Sequence, residues 1–123
     1  MKNFTPALVL VFVALFSSYN LSAQVPAIQW QTSLGGSDDD EAHSIRPTAD
    51  GGYIVAGTSY SSDGDVTVNH GGNDYWVVKL NASRTIMWQK SLGGSNNEGA
   101  LSVHQTTDGG YIVAGWSRSN DGD

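Results

Sequence analysis

The chain has 123 residues, no cysteine and a formal net charge of −6. That length holds one domain at most, and the lack of cysteine excludes a disulfide framework. The acidic balance argues against a nucleic-acid partner, because an acidic surface repels phosphate groups. Stability must therefore come from packing, from metal ions or from a larger assembly.

The first 23 residues have the order of a secretory signal peptide. Lys2 gives a basic start, the apolar run ALVLVFVALF follows at 7–16, and a polar stretch leads to the small residue Ala23. The apolar run is shorter than the roughly 20 residues that a membrane-spanning helix needs. We therefore expect no membrane span, cleavage after Ala23, and a secreted or cell-surface protein that comprises residues 24–123.

An internal repeat with a period of 58 residues organises the rest of the chain. Residues 28–65 align with residues 86–123 without a gap, and 24 of the 38 positions are identical. IQWQTSLGGS lies on IMWQKSLGGS, and DGGYIVAG occurs at both 50–57 and 108–115. A fixed period of this kind indicates stacked structural units. It defines a first repeat at 28–85 and a truncated second repeat at 86–123.

The repeat predicts strands and no helix. Runs rich in β-branched and aromatic residues predict strands at 28–34, 42–49, 53–59, 74–81 and 85–92, and again at 100–107 and 111–117. Asp50-Gly51-Gly52 predicts a hairpin turn. YIVAG at 53–57 is apolar on both faces, as expected of a strand that is covered on both sides. Four antiparallel strands per repeat predict an all-β, β-propeller-like fold of about one and a half blades.

This count of blades is too small for closure. Closed propellers contain about four to eight blades, and repeat units need about three copies for stability. We therefore expect the sequence to open a longer protein, or to be a subunit that needs further blades or other subunits to close the fold. A small independent sandwich is the alternative.

The wording of the repeat resembles that of a known group of proteins. The segments SLGGS, DGGYIVAG and DYWVVKL, followed by the Trp of TIMWQ, resemble repeats of large secreted proteins from Bacteroidetes-type bacteria. Those proteins carry a sorting domain for type IX secretion, and some are labelled endoglucanases. The resemblance implies a β-propeller-like fold and supplies no catalytic residue. DYWVVKLNASRTIMWQ is also weakly similar to quinoprotein-type propeller repeats, which implies that Trp30 and Trp88 dock between blades.

The stretch SSDGDVTVNHGGND at 61–74 contains the candidate metal ligands. Calcium prefers several oxygen ligands, and the side chains that offer them here are Asp63, Asp65, Asn69 and Asp74. Their spacing does not match an EF-hand loop, so the sequence predicts at most a structural calcium site. The alternative is a turn, since Asp-Gly-Asp recurs at 121–123. The acidic run at 38–41 leaves the same two interpretations open, calcium binding or a solvated loop.

The sequence predicts no catalytic residue and no other cofactor. His43, His70 and His104 do not recur in the repeat and lack the spacing of metal ligands. The recurring aromatic residues are predicted to pack between blades; they are Trp30, Tyr53, Trp88 and Tyr111. We therefore expect an exported, non-enzymatic repeat scaffold or a binding module for glycan or protein. The alternative is an accessory part of a secreted polysaccharide-degrading enzyme.

Overall fold

The computed structural model of the protein describes residues 25–122. They form six strands and no helix: β1 (Asp40–Pro47), β2 (Tyr53–Ser59), β3 (Asp74–Leu80), β4 (Ile86–Leu92), β5 (Glu98–Gln105) and β6 (Tyr111–Ser117). Within this range no helix is long and apolar enough to cross a membrane. The predicted signal peptide lies outside the described residues.

The strands form two antiparallel sheets. β1, β2, β3 and β4 make the first sheet in that order, and β5 pairs with β6 in the second sheet. The Asp-Gly-Gly turn joins the first two strands of each sheet: Gly51 N donates to Thr48 O (2.9 Å), and Gly109 N donates to Thr106 O (3.0 Å). Gly51 and Gly109 have φ angles of 79° and 87°, which L-residues rarely adopt. The predicted hairpin turn is confirmed in both repeats.

The second sheet packs on one face of the first sheet. Ile54, Ala56 and Val77 of the first sheet form a buried core with Ala100 and Val103 of β5. The opposite face of the first sheet carries a second apolar cluster, which contains Trp76, Val78, Leu80 and, from the loop after β2, Val66. YIVAG at 53–57 therefore lies in a strand with apolar side chains on both faces, as the sequence predicts.

The all-β, antiparallel architecture is confirmed. β2 and β6 have the predicted bounds, and the other four strands begin and end within two residues of prediction. The described residues contain one four-stranded unit and one two-stranded unit and no closed sheet. The propeller therefore stays a prediction.

The predicted strand at 28–34 is wrong, because the structure has no strand there. Its repeat equivalent, β4, is held by hydrogen bonds to β3. A strand needs such a neighbour for its backbone groups, and among residues 25–122 no third strand precedes 28–34. The strand-forming sequence is present, but its partner is not.

Candidate functional site

A network of side chains holds the loop between residues 34 and 40 in place. Three consecutive backbone amides donate to side chains: Gly36 N to Asp40 Oδ2 (2.8 Å), Ser37 N to Asp63 Oδ1 (2.7 Å) and Asp38 N to Ser61 Oγ (3.0 Å). We call this arrangement the amide clamp. It joins the start of β1 to the loop that follows β2.

The second repeat contains the same amide clamp. Gly94 N donates to Glu98 Oε2 (2.9 Å), Ser95 N to Asp121 Oδ1 (2.9 Å) and Asn96 N to Ser119 Oγ (2.9 Å). Each of these residues lies 58 positions after its counterpart. The recurring Gly-Gly-Ser and Asp-Gly-Asp segments are thus two halves of one structural unit. Asp63-Gly64-Asp65 is also a turn, in which Val66 N donates to Asp63 O (3.0 Å) and Gly64 has a φ angle of 64°. Gly122 of the second repeat has a φ angle of 83°.

The carboxylates at the start of β1 and β5 are the charged centres of the two clamps. Burial raises the pKa of Asp40, but the nearby Ser59 hydroxyl, the Gly36 amide and the Ser61 hydroxyl outweigh burial and lower it. Burial also raises the pKa of Glu98, and hydrogen bonds from Ser119, Gly94 and Ser117 lower it below its ordinary value. Both groups are therefore stabilised as carboxylates by donors around them. Both accept from amides and serine hydroxyls of nearby segments, while Asp40 Oδ1 is buried without a hydrogen-bond partner among the described residues.

Sequence reasoning missed this role of Asp40. In the sequence Asp40 belongs to the acidic run at 38–41, for which calcium binding and a solvated loop are the two interpretations. The signal that separates it lies in the repeat: Asp38 and Asp39 become Asn, Glu41 becomes Gly, and only Asp40 keeps its charge as Glu98. A carboxylate is retained where it accepts hydrogen bonds from the loop.

The four predicted calcium ligands take part in three separate sets of hydrogen bonds. Asp63 accepts from Ser37 N, and Asp65 Oδ2 accepts from Gly35 N (3.1 Å). Asn69 closes its own turn, accepting from Gly71 N (2.9 Å) and donating to Gly72 O (3.1 Å).

The fourth residue, Asp74, begins β3. Its Oδ2 accepts from His70 N (2.9 Å) and lies 2.6 Å from His70 Nδ1. Its Oδ1 is buried without a hydrogen-bond partner among the described residues. In residues 25–122 no three His, Asp or Glu side chains are grouped so that they could hold a metal ion. The calcium site stays a prediction, of which Asp74 Oδ1 is the one buried and unpaired oxygen.

His43 links the two sheets. It lies at a bulge in β1, with Nδ1 2.6 Å from Ala100 O of β5 and Nε2 3.1 Å from the carboxylate of Glu41. Both partners are acceptors, so only the doubly protonated ring donates to both. The hydrogen bond to Ala100 O, followed by the one to Glu41, raises the pKa of His43.

Lys79 is a buried charge in the centre of the first sheet. Its side chain is 3% exposed, and its Nζ lies 2.8 Å from Asp50 Oδ2 and 2.8 Å from Leu80 O. The hydrogen bond from Lys79, followed by those from Thr48 and Gly52, holds the pKa of Asp50 far below its ordinary value. The pair attaches the hairpin turn to β3, and the ammonium group has both carboxylate oxygens of Asp50 and the carbonyl oxygen of Leu80 as acceptors.

An apolar cavity of about 350 Å³ opens on the face of the first sheet that the second sheet does not cover. Its lining includes Trp30, Leu34, Ile45, Val55 and Trp76. The ring of Trp30 packs on Tyr53 (5.4 Å between centroids) and under the guanidinium of Arg84 (5.3 Å). Trp30 therefore forms one wall of the cavity, and its contacts with Tyr53 and Arg84 hold its ring in place.

The second repeat has the equivalent aromatic pair. Trp88 in β4 lies 5.7 Å from Tyr111 in β6, measured between ring centroids. Because these strands belong to different sheets, the predicted aromatic contact between units is confirmed for Trp88 and Tyr111. Trp116, which replaces Thr58 of the first repeat, is 40% exposed.

No protein-family model matches the chain, and no curated protein or solved structure shows significant similarity to it. The site must therefore be interpreted from its own geometry.

Proposed function

We propose that this protein is an exported, non-enzymatic repeat scaffold whose stacked sheets serve as a module for binding protein or glycan. The observation that supports this function most directly is the use of the repeated polar residues. In both repeats they accept hydrogen bonds from backbone amides of neighbouring loops. These repeated residues therefore hold the loops in shape, and the same structural unit is built twice.

The nearest alternative is a glycoside-hydrolysing unit, which requires two carboxylates that flank the scissile bond. The two most buried acids of the clamps, Asp40 and Glu98, each belong to a different repeat and are each occupied by loop amides. A general acid of this class needs a raised pKa, whereas the pKa values of both groups are lowered. The electrostatics favour a structural role.

A hydrolysis assay tests the non-enzymatic part of the proposal. We expect the purified chain to release no reducing sugar from cellulose or xylan and no sialic acid from sialosides, under conditions in which an endoglucanase, a xylanase and a sialidase serve as positive controls. Release of product by the chain, abolished by Asp40→Asn or Glu98→Gln, would overturn the proposal. A glycan array and a pull-down from the medium of the producing cell then separate glycan from protein ligands.

Export has its own test. We expect the mature protein from its own host to begin at Gln24 or within a few residues of it, outside the cytoplasm. N-terminal sequencing and intact mass measurement report this directly. A cytoplasmic protein that retains Met1 would contradict export while leaving the scaffold function open.

A further inference from the structure

Each sheet has two faces, and the repeat makes them comparable. We call the face that carries Ile54 and Ala56 in the first sheet, and Ile112 and Ala114 in the second, the leading face. The trailing face carries Ala42 and Ile45 in the first sheet, and Ala100 and Val103 in the second. Inside the chain the leading face of the first sheet packs on the trailing face of the second. One interface between these two faces is thus already built.

The two remaining faces are the repeat equivalents of the two that are packed. Ile54 is fully buried, whereas its equivalent Ile112 is 62% exposed. Val103 is fully buried, whereas its equivalent Ile45 is 50% exposed. The chain therefore presents a free leading face on the second sheet and, on the first sheet, a trailing face that is free along β1. Over β3 the trailing face is already covered, since Trp76, Val78 and Leu80 are buried.

The apolar cavity lies on the free trailing face. In the second repeat the equivalent space, beside Val103 and Val113, is filled by Ile54, Ala56 and Tyr75 from the first sheet. The side chains that would fill the cavity in the same way are Ile112 and Ala114 of another chain. Exposed apolar surface of this kind marks an interaction site.

Trp116 enlarges the free leading face. The repeat equivalent of this residue inside the chain is Thr58, which is 6% exposed. Trp116 packs against Gly99 within its own sheet and carries Arg118 stacked over its ring at 5.4 Å. A rigid aromatic side chain adds contact area at small entropic cost. This area matters here because the second sheet has only two strands among the described residues.

We propose that a second copy of this chain docks head to tail on the first, with its free leading face against the free trailing face of its neighbour. The proposal rests on the scaffold function and names the partner of that scaffold. Such a contact is heterologous: each copy uses two different surfaces, so copies join into a ring when the rotation closes and into an open chain when it does not. The occupant is a second copy because the chain already contains this interface once.

The test separates the two surfaces by mutation. The full chain is expressed with Ile112→Asp, which places a charge on the leading face, or with Ile45→Asp, which places one on the trailing face. Val68→Asp is the matched control, because Val68 is 48% exposed and lies in the loop after β2, not in a strand of either face. Thermal unfolding confirms that each variant folds, and Ile112→Ser gives a milder change at the same position.

Light scattering after size exclusion, over a concentration series, measures the mass. We expect the wild type and Val68→Asp to associate beyond the monomer, and each single Asp variant to weaken association at least about tenfold, since an unpaired carboxylate is costly to bury. An equimolar mixture of Ile112→Asp and Ile45→Asp should restore dimers that grow no further, because one intact face remains on each variant.

Three results would overturn the proposal: a wild type that stays monomeric throughout, single variants that associate as the wild type does, or a mixture that stays monomeric. Strong self-association of one variant alone would instead mean that like faces pair. A monomeric chain without hydrolytic activity removes this inference and keeps the proposed scaffold function. Hydrolytic activity removes the scaffold function whatever the mass.

Discussion

Ile54 and Ile112 show how one residue type takes two roles in identical sequence surroundings. Both lie in the octapeptide DGGYIVAG, both follow the same hairpin turn, and both occupy the same strand position. The first is fully buried and the second is 62% exposed. The difference arises only from what covers the strand, since β5 packs over β2 and no described element packs over the same face of β6.

Truncation of these two residues should therefore have unequal effects. We expect Ile54→Ala to lower the free energy of unfolding by about 2–5 kcal/mol, because it opens a cavity in a packed core. Ile112→Ala should cost less than about 1 kcal/mol, since the side chain is mostly hydrated already. Chemical denaturation at a concentration at which the protein is monomeric measures both values. Equal losses would show that Ile112 is buried in solution.

At the scale of elements, the amide clamps determine how strands begin. The loops before β1 and β5 have backbone N–H groups that need acceptors. Side chains of a loop that is distant in the sequence provide acceptors, where a neighbouring strand would otherwise do so. Glu98 accepts at both carboxylate oxygens, from Gly94 N at Oε2 and from Ser117 Oγ and Ser119 N at Oε1. The clamp thus fixes β5 against the segment that follows β6.

Glu98→Gln should disrupt the second clamp without changing the volume of the side chain. The side-chain amide of glutamine has one acceptor oxygen, so its NH2 group would face one of the N–H or O–H donors that now bind Glu98. We expect a loss of about 2 kcal/mol in the free energy of unfolding at neutral pH. The matched control is Asp39→Asn, which should leave stability unchanged because Asp39 is exposed and its repeat equivalent is already Asn97.

The pH dependence of this loss gives a second readout. Because the folded pKa of Glu98 lies below its ordinary value of 4.5, the stability it provides is fully present above that value. It is lost as the pH falls through the folded pKa. The difference between wild type and Glu98→Gln should therefore shrink in acid. A difference that stays constant down to pH 2 would contradict an ionised Glu98.

At the scale of the whole molecule, two sheets are joined mainly by apolar side chains and by a few polar contacts. His43 is the polar contact whose charge changes near neutral pH. Its folded pKa is raised above the ordinary value of 6.5, so the stability that the charged ring provides is fully present below pH 6.5. It is lost as the pH rises through the folded pKa.

We therefore expect the free energy of unfolding to decrease as the pH rises from 6.5 through the raised folded pKa of His43, and this slope to be reduced in His43→Gln. Glutamine keeps one donor for Ala100 O but does not titrate. His104→Gln, which changes an exposed side chain of β5, is the control and should keep the wild-type slope. Thermal or urea unfolding at several pH values gives the comparison, and an unchanged slope in His43→Gln would rule out the link between sheets as its source.

The sequence by itself determined the six observed strands, the hairpin turns and the period. These features depend on local conformational preferences, such as those of the β-branched residues in β3 and of a glycine at the positive φ of Gly51. Such preferences recur wherever the sequence recurs. It also indicated that Trp88 and Tyr111 pack between units, because both residues recur. Asp63 and Asp65 were predicted as oxygen ligands of calcium. Their observed donors, the backbone amides of Ser37 and Gly35, lie 26 and 30 residues away in the chain, so the local spacing could not predict these hydrogen bonds.

Only the tertiary structure decided which copy of a repeated segment is covered. Residues 28–34 have a strand-forming sequence but no neighbouring strand within residues 25–122. β6 has the sequence of a central strand but lies in a two-stranded sheet. Asp40 has the sequence surroundings of a solvated loop, yet it is half-buried and accepts hydrogen bonds from Gly36 N and Ser61 Oγ. In each case the deciding quantity is the neighbour in space, which supplies hydrogen bonds or excludes water. Identical sequences carry no information about that neighbour.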